Sequence, residues 1–226
     1  MILISLTVFV LLSLWQLSII QTMFRTDRTH ISSFILLLFV LTSLHCLAQT
    51  WFVSKEMVAA RLFRDALRGR ERTKADVLGV EHLPQGSLIA QHVANLVAKA
   101  QIQGGRHVDQ GALLRVLANR LRGRERLGMF VSEALLRLAL LGTAVGFILM
   151  LIPIAGLTSF DAETLRKALS GMSGGMAVAL NITVAGIATA LLLKLQYYFL
   201  TTAMVELFDM ITEVTEVYVI SALERG

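Results

Sequence analysis

Gly174-Gly-Met-Ala-Val-Ala-Leu-Asn-Ile-Thr-Val-Ala-Gly-Ile-Ala-Thr-Ala-Leu-Leu-Leu-Lys-Leu195 is the stretch whose reading decides the fold. About 20 apolar residues at 1.5 Å rise cover roughly 30 Å, the hydrocarbon thickness of a bilayer. The segment is long and apolar enough to span, yet it is not a plain greasy anchor. Gly175, Ala179, Thr183, Gly186 and Ala190 recur at intervals of three or four and fall on one face of a helix. In lipid, where apolar burial no longer separates helix from solvent, such small faces let another helix approach closely. Asn181, Thr183 and Thr189 lie on or beside the stripe and need partners in hydrocarbon. Two readings follow: tight packing against a helix of the same chain, or a wall of a pore.

Composition agrees with a membrane chain. Hydrophobic residues make up 55% and charged residues 16%, whereas soluble domains sit near 45–50% and about 25%. The one cysteine, Cys46, excludes a disulfide framework within the chain, and the five histidines lack metal-ligand spacing. His45, inside an apolar run, reads as a packing or interface residue rather than a proton relay.

Working outward, residues 2–20 form a first span: no Lys or Arg precedes the run and no small-x-small cleavage site follows. A polar hairpin over 22–30 leads to a second span, 31–53, with Trp51 at the interface. Residues 54–127 then hold fourteen basic against seven acidic side chains, an excess larger than the net charge of +5 for the whole chain. Such charge beside the spans marks the cytoplasmic side. Phe63 is the one aromatic residue among the arginines, too sparse an interleaving for a nucleic-acid surface.

Within this insert, Val58, Leu62, Phe63 and Leu67 carry helical spacing onward from the second span. Ser87 is placed to cap a helix reaching about Gln101, and Asp109 to cap another with Leu113, Leu114, Leu117 and Leu121 on its apolar side. Leu67–Arg72 and Leu121–Arg126 both spell Leu-Arg-Gly-Arg-Glu-Arg. Arg68, Arg70 and Arg72, like Arg122, Arg124 and Arg126, either meet lipid head groups or acidic tails or are simply solvated.

A third span is expected over 138–157, with Gly142 and Gly146 in a small-xxx-small pattern and Pro153 near its outer end. Residues 158–173, whose charges cancel, read as an external loop. The opening stretch is the fourth span. Lys194 snorkels at its inner boundary and Tyr197 and Tyr198 form an aromatic belt. Helical spacing runs on to Tyr218, with Glu206, Asp209, Glu213, Glu216 and Glu224 forming an acidic tail able to pair with the basic hairpin of its own or a neighbouring subunit. The expected fold is therefore all-α and polytopic. Residues 1–53 hold two spans, 54–129 a basic cytoplasmic helical insert, 130–205 the channel region with two more spans, and 206–226 the acidic tail; both termini are cytoplasmic.

No phosphate-binding loop, metal motif or nucleophile elbow occurs, so the chain reads as no enzyme, with no cofactor. Ion handling is the remaining chemistry. Yet residues 138–157 and 176–193 contain no Asp, Glu, His, Lys or Arg. Thr143, Thr183 and Asn181 can line an ion or water path but cannot hold a proton near neutral pH. A proton-driven machine built on these helices needs a carboxylate from another chain.

Ala139-Leu-Leu-Gly-Thr143-Ala-Val-Gly146-Phe147 and Gly175-Met-Ala-Val178-Ala-Leu-Asn-Ile-Thr183-Val-Ala-Gly186 resemble the two pore-helix motifs of the MotA/TolQ/ExbB proton channel family. The resemblance spans about residues 130–205. It implies a homopentamer in the bacterial inner membrane around two copies of a single-pass MotB/TolR/ExbD-type partner. That partner supplies the aspartate, and H⁺ or Na⁺ is the coupling ion. Thr143 and Thr183 match the pore threonines of the TolQ/ExbB branch. Gly142, Gly146, Gly175, Ala179, Gly186 and Ala190 are the positions expected to pack the partner helix. Val178, where that branch commonly has Glu, and the four spans lean towards MotA, so the branch stays open. A scaffold that positions a membrane partner without conducting is the alternative function. A small-solute transporter is disfavoured, because the halves show no repeat and no substrate-binding charge.

Overall fold

A computed structural model describes residues 30–68, 86–103, 108–156 and 161–224. Among these there are only helices: α1 (Ile31–Arg68), α2 (Leu88–Ile102), α3 (Gly111–Ala155), α4 (Ala162–Val214), a π-helical segment Thr215–Ile220, and the short α5 (Ser221–Glu224). Three are long and apolar enough to cross a membrane: α1, α3, and α4 with its continuation to Glu224. The expected first span, residues 2–20, and the first arginine repeat beyond Arg68 lie outside the described residues.

Helix ends follow local chemistry. Gly86 takes φ +97°, a left-handed conformation that suits glycine, and Ser87 next to it caps α2. Its hydroxyl accepts the Ala90 N–H at 3.3 Å. Asp109 accepts the Gly111 N–H at 2.8 Å at the start of α3. One expectation is overturned. Residues 162–173 are the first turns of α4, not a loop. Glu163 stands in the first turn, favourable to the helix dipole, and pairs with Lys167 one turn on at 2.8 Å.

The chain divides into two compact units, residues 1–47 with 127–198, and residues 48–126 with 199–226. In the first, α3 and α4 form a close antiparallel hairpin, and the upper part of α1 buries Ile35, Phe39 and Cys46. Tyr197 is 1% exposed there, so it is no lipid-facing belt residue. A methyl group on Gly128 would lie 2.0 Å from its Cζ, showing how closely the ring lies on that glycine, and its hydroxyl stands 2.9 Å from His45 Nδ1. Tyr198, by contrast, is 67% exposed.

In the second unit, the lower part of α1 packs with α2, the start of α3 and the end of α4. Phe63 is buried, but Val58 and Leu62 are exposed, so the apolar spacing beyond the second span only partly marks a core. Glu56 is buried and accepts the Leu88 N–H at 2.7 Å, which ties α1 to the N-terminus of α2. Arg124 lies 3.9 Å above the Phe52 ring and donates to Gln49 Oε1 at 2.9 Å. It is a packed side chain, not a solvated one.

Candidate ion-path site

The glycines of α3 and α4 set the geometry. A methyl group at Gly175 would fall 2.6 Å from the Met150 backbone nitrogen, one at Gly146 2.5 Å from Ala179 Cβ, one at Gly142 2.2 Å from Ile182 Cγ2, and one at Gly186 2.4 Å from Ala139 Cβ. Numbers rise along α4 as they fall along α3, which is the register of an antiparallel pair. Beyond them, Gly171 receives the Pro153 ring, where a methyl group would lie 2.7 Å from Cγ. The helices approach this closely because one member of each facing pair is a glycine. Ala179 is half-buried and Ala190 fully buried. Thus Gly142, Gly146, Gly175, Ala179 and Gly186 face the neighbouring helix of the same chain.

That register also orients the polar residues. On antiparallel right-handed helices, the residue that follows each member of a contact pair turns to the same flank. Thr143 follows Gly142 and Thr183 follows Ile182, so the two threonines share one flank at one level. Asn181 precedes Ile182 and lies on the other flank. A cleft of about 420 Å³ opens on the threonine flank, lined by Thr143, Gly146, Phe147, Met150, Met176 and Ala179 among others. Its walls are almost wholly apolar, so the Thr143 hydroxyl is its principal polar group.

Both hydroxyls are committed in the same way. Thr143 donates to the Leu140 carbonyl at 2.6 Å and Thr183 to the Ala179 carbonyl at 2.9 Å. A hydroxyl has one proton and two lone pairs. With the proton spent on the helix backbone, each oxygen offers only acceptor capacity outward, which suits a cation, a water proton or a protonated carboxyl. Thr189 behaves differently. It is buried, bonds to Ala185 and Gly186, and belongs to the packing.

A model of the MotA/TolQ/ExbB proton channel family matches residues 81–213. The chain belongs to the MotA/TolQ/ExbB proton channel family. The match takes in α2, all of α3 and nearly all of α4, so this channel protein shares more with its family than the two pore motifs. No curated protein matches the chain. Family members are channel and transport-coupling subunits that work with MotB/TolR/ExbD-type partners. This member is accordingly an ion-channel, motor-type membrane subunit.

Sequence reasoning missed a second polar cluster, in the unit formed by residues 48–126 and 199–226. Gln110, buried, stands between His92 Nε2 at 3.3 Å and the buried Thr215 hydroxyl at 2.9 Å, and its amide donates to Glu216. Glu224 accepts the Val108 N–H at 3.2 Å. The acidic tail therefore does meet its own insert, through an amide and a backbone N–H. Burial holds the His92 imidazole below its ordinary value of 6.5, against the opposing effect of its hydrogen bond to Gln110 Oε1. Only the π-helical segment at Thr215, a feature often found at functional sites, sets this corner apart, and it has no sequence signature.

Proposed function

We propose that this chain is an inner-membrane, ion-driven motor subunit whose Thr143 and Thr183 flank an ion path completed by a single-pass MotB/TolR/ExbD-type partner. Five copies surround two partner helices, the partner contributes the aspartate, and H⁺ or Na⁺ flow drives mechanical work. Both termini lie in the cytoplasm. The observation that carries this reading is the pair of threonine hydroxyls on one flank of a glycine-packed hairpin, each with its proton committed to backbone and its lone pairs outward. Residues 138–157 and 176–193 contain no ionisable group to hold the transferred ion. A carboxyl arriving from the partner then finds acceptors for its proton, or oxygens to share a Na⁺ with.

The test is Thr143→Val with Thr183→Val in the presence of the partner. Valine keeps the shape and removes the oxygen. Ion-coupled work and ion flux into vesicles should be lost while particle size is unchanged. A double variant that still drives full flux would overturn the reading.

A further inference from the structure

Within the first unit, two contacts fix the register of the α3–α4 hairpin. Gly128 lies under the Tyr197 ring, and Ala139 lies against Gly186. The two points are eleven residues apart on either helix, so Glu133 stands level with Leu192 and Arg137 with Ala188. The sequence puts both charges ahead of the third span, whereas the register puts them inside it. Residues 176–193 of α4 carry no ionisable side chain, and Leu191 is 63% exposed there. Leu44 of α1, beside the His45 that meets Tyr197, is 58% exposed. Acyl chains therefore reach at least to the level of Lys194 on these faces. Glu133 lies about 3 Å deeper than Lys194, and Arg137 about 9 Å deeper. Neither is tucked away, with side chains 57% and 75% exposed.

A carboxylate on so short a stem does not snorkel as a lysine does, and exposed to acyl chains it is costly. Arg137 does not escape either: its guanidinium ends on Glu133 Oε2 at 3.4 Å, still above the Lys194 level. That one bond leaves further guanidinium donors and carboxylate lone pairs to be met. A second copy standing at the same height does not meet them. Between Gly186 and Leu193 the only polar side chain of α4 is Thr189, buried and bonded to its own helix. Ser132 on α3 and Thr42 and Ser43 on α1 are buried too. We propose that the face of α3 bearing Glu133 and Arg137 lines a water-filled vestibule, which enters the membrane from the Tyr197 end of the hairpin. Its part in ion flow rests on the functional reading given above. The vestibule shortens the dry part of the path to about 9 Å, the six residues between Arg137 and Thr143. At that inner end an uncompensated Arg137 would repel a passing cation, and Glu133 cancels its charge.

The first test labels single cysteines with a small membrane-impermeant thiosulfonate added to inside-out vesicles, in a Cys46→Ala background. Glu133→Cys and Arg137→Cys should react about tenfold or more faster than Leu191→Cys. Leu191 is the control because it stands within about 1.5 Å of the same depth, on the lipid-facing side of α4. Equal rates overturn the vestibule. If the cysteine variants fail to fold, Glu133 of the wild type decides. Its modification by a water-soluble carbodiimide and an amine supports the vestibule, and no modification overturns it. The second test is cation flux into vesicles with the partner present. Glu133→Gln should lower flux about fivefold or more, and Glu133→Gln with Arg137→Gln should restore it. Unchanged flux in the single variant, or a double variant as slow as the single, overturns the charge-cancelling role. A wild type without flux overturns the functional reading, and labelling alone then decides the vestibule.

Discussion

Thr143 and Thr183 show how little separates a packing residue from a functional one. Thr189 makes the same kind of backbone hydrogen bond, yet it is buried and its oxygen is enclosed, whereas the other two are half-buried on a shared flank. The glycines are the opposite case, because their whole contribution is the side chain they lack. Gly146→Leu would drive a branched side chain into the Ala179 backbone, whose Cα lies 2.7 Å from even a single added methyl. Overpacking of this kind costs about 1–3 kcal/mol or more. The expected outcome is a lower melting temperature in detergent, measured by tryptophan fluorescence, with Gly174→Leu as control because nothing lies within 4 Å of that glycine. Both glycines were visible in the sequence as small residues in spans. The spacing set Gly146 and not Gly174 among the packing positions, but not which helix it faces, because a stripe records periodicity and not the identity of the facing helix. Gly128, flat under the Tyr197 ring, gave no signal at all, being a single glycine in an arginine-rich run without period.

At the scale of elements, capping chemistry was the most legible part of the chain. Ser87 and Asp109 stand where α2 and α3 begin because their side chains supply acceptors that the first helical turn lacks. The start of α4 was misread since a short, charge-neutral polar stretch resembles a loop by composition. The Glu163–Lys167 spacing, which favours a helix, was present in it. Long-range partners were not legible. Glu56 is separated from Leu88 by 32 residues, and no local rule pairs them. Glu56→Ala would leave the Leu88 N–H buried without an acceptor, at about 1–3 kcal/mol, while Glu56→Gln keeps an oxygen in place. The alanine variant should speed amide exchange over 88–92 and the glutamine variant should not. Equal exchange in both would show that the hydrogen bond does not hold the α2 terminus.

The whole molecule combines two units with different physics. One is a hairpin held by close backbone approach among small residues. The other is a bundle whose buried corner depends on hydrogen bonds between His92, Gln110, Thr215 and Glu216. The second should respond to mild acid through His92. His92 is held below 6.5 by burial, so as pH falls through that value the unfolded chain takes up a proton before the folded one does. Folded-state stability in this unit is therefore full above 6.5 and declines as pH drops towards the lowered value. The hydrogen bond to Gln110 opposes the shift without reversing it, and Thr215 is neutral. Glu216 binds the far side of the Gln110 amide, one side chain removed from the imidazole. Hydrogen exchange at about pH 7.5 and about pH 5.5, corrected for intrinsic rates, should show loss of protection over 88–102 and 110–120 and none over 139–150. His92→Gln, which keeps a donor towards Gln110, should abolish the difference. Equal loss of protection in the hairpin would mean that acid acts on the fold as one body, and an unchanged acid response in His92→Gln would assign the titration to another group.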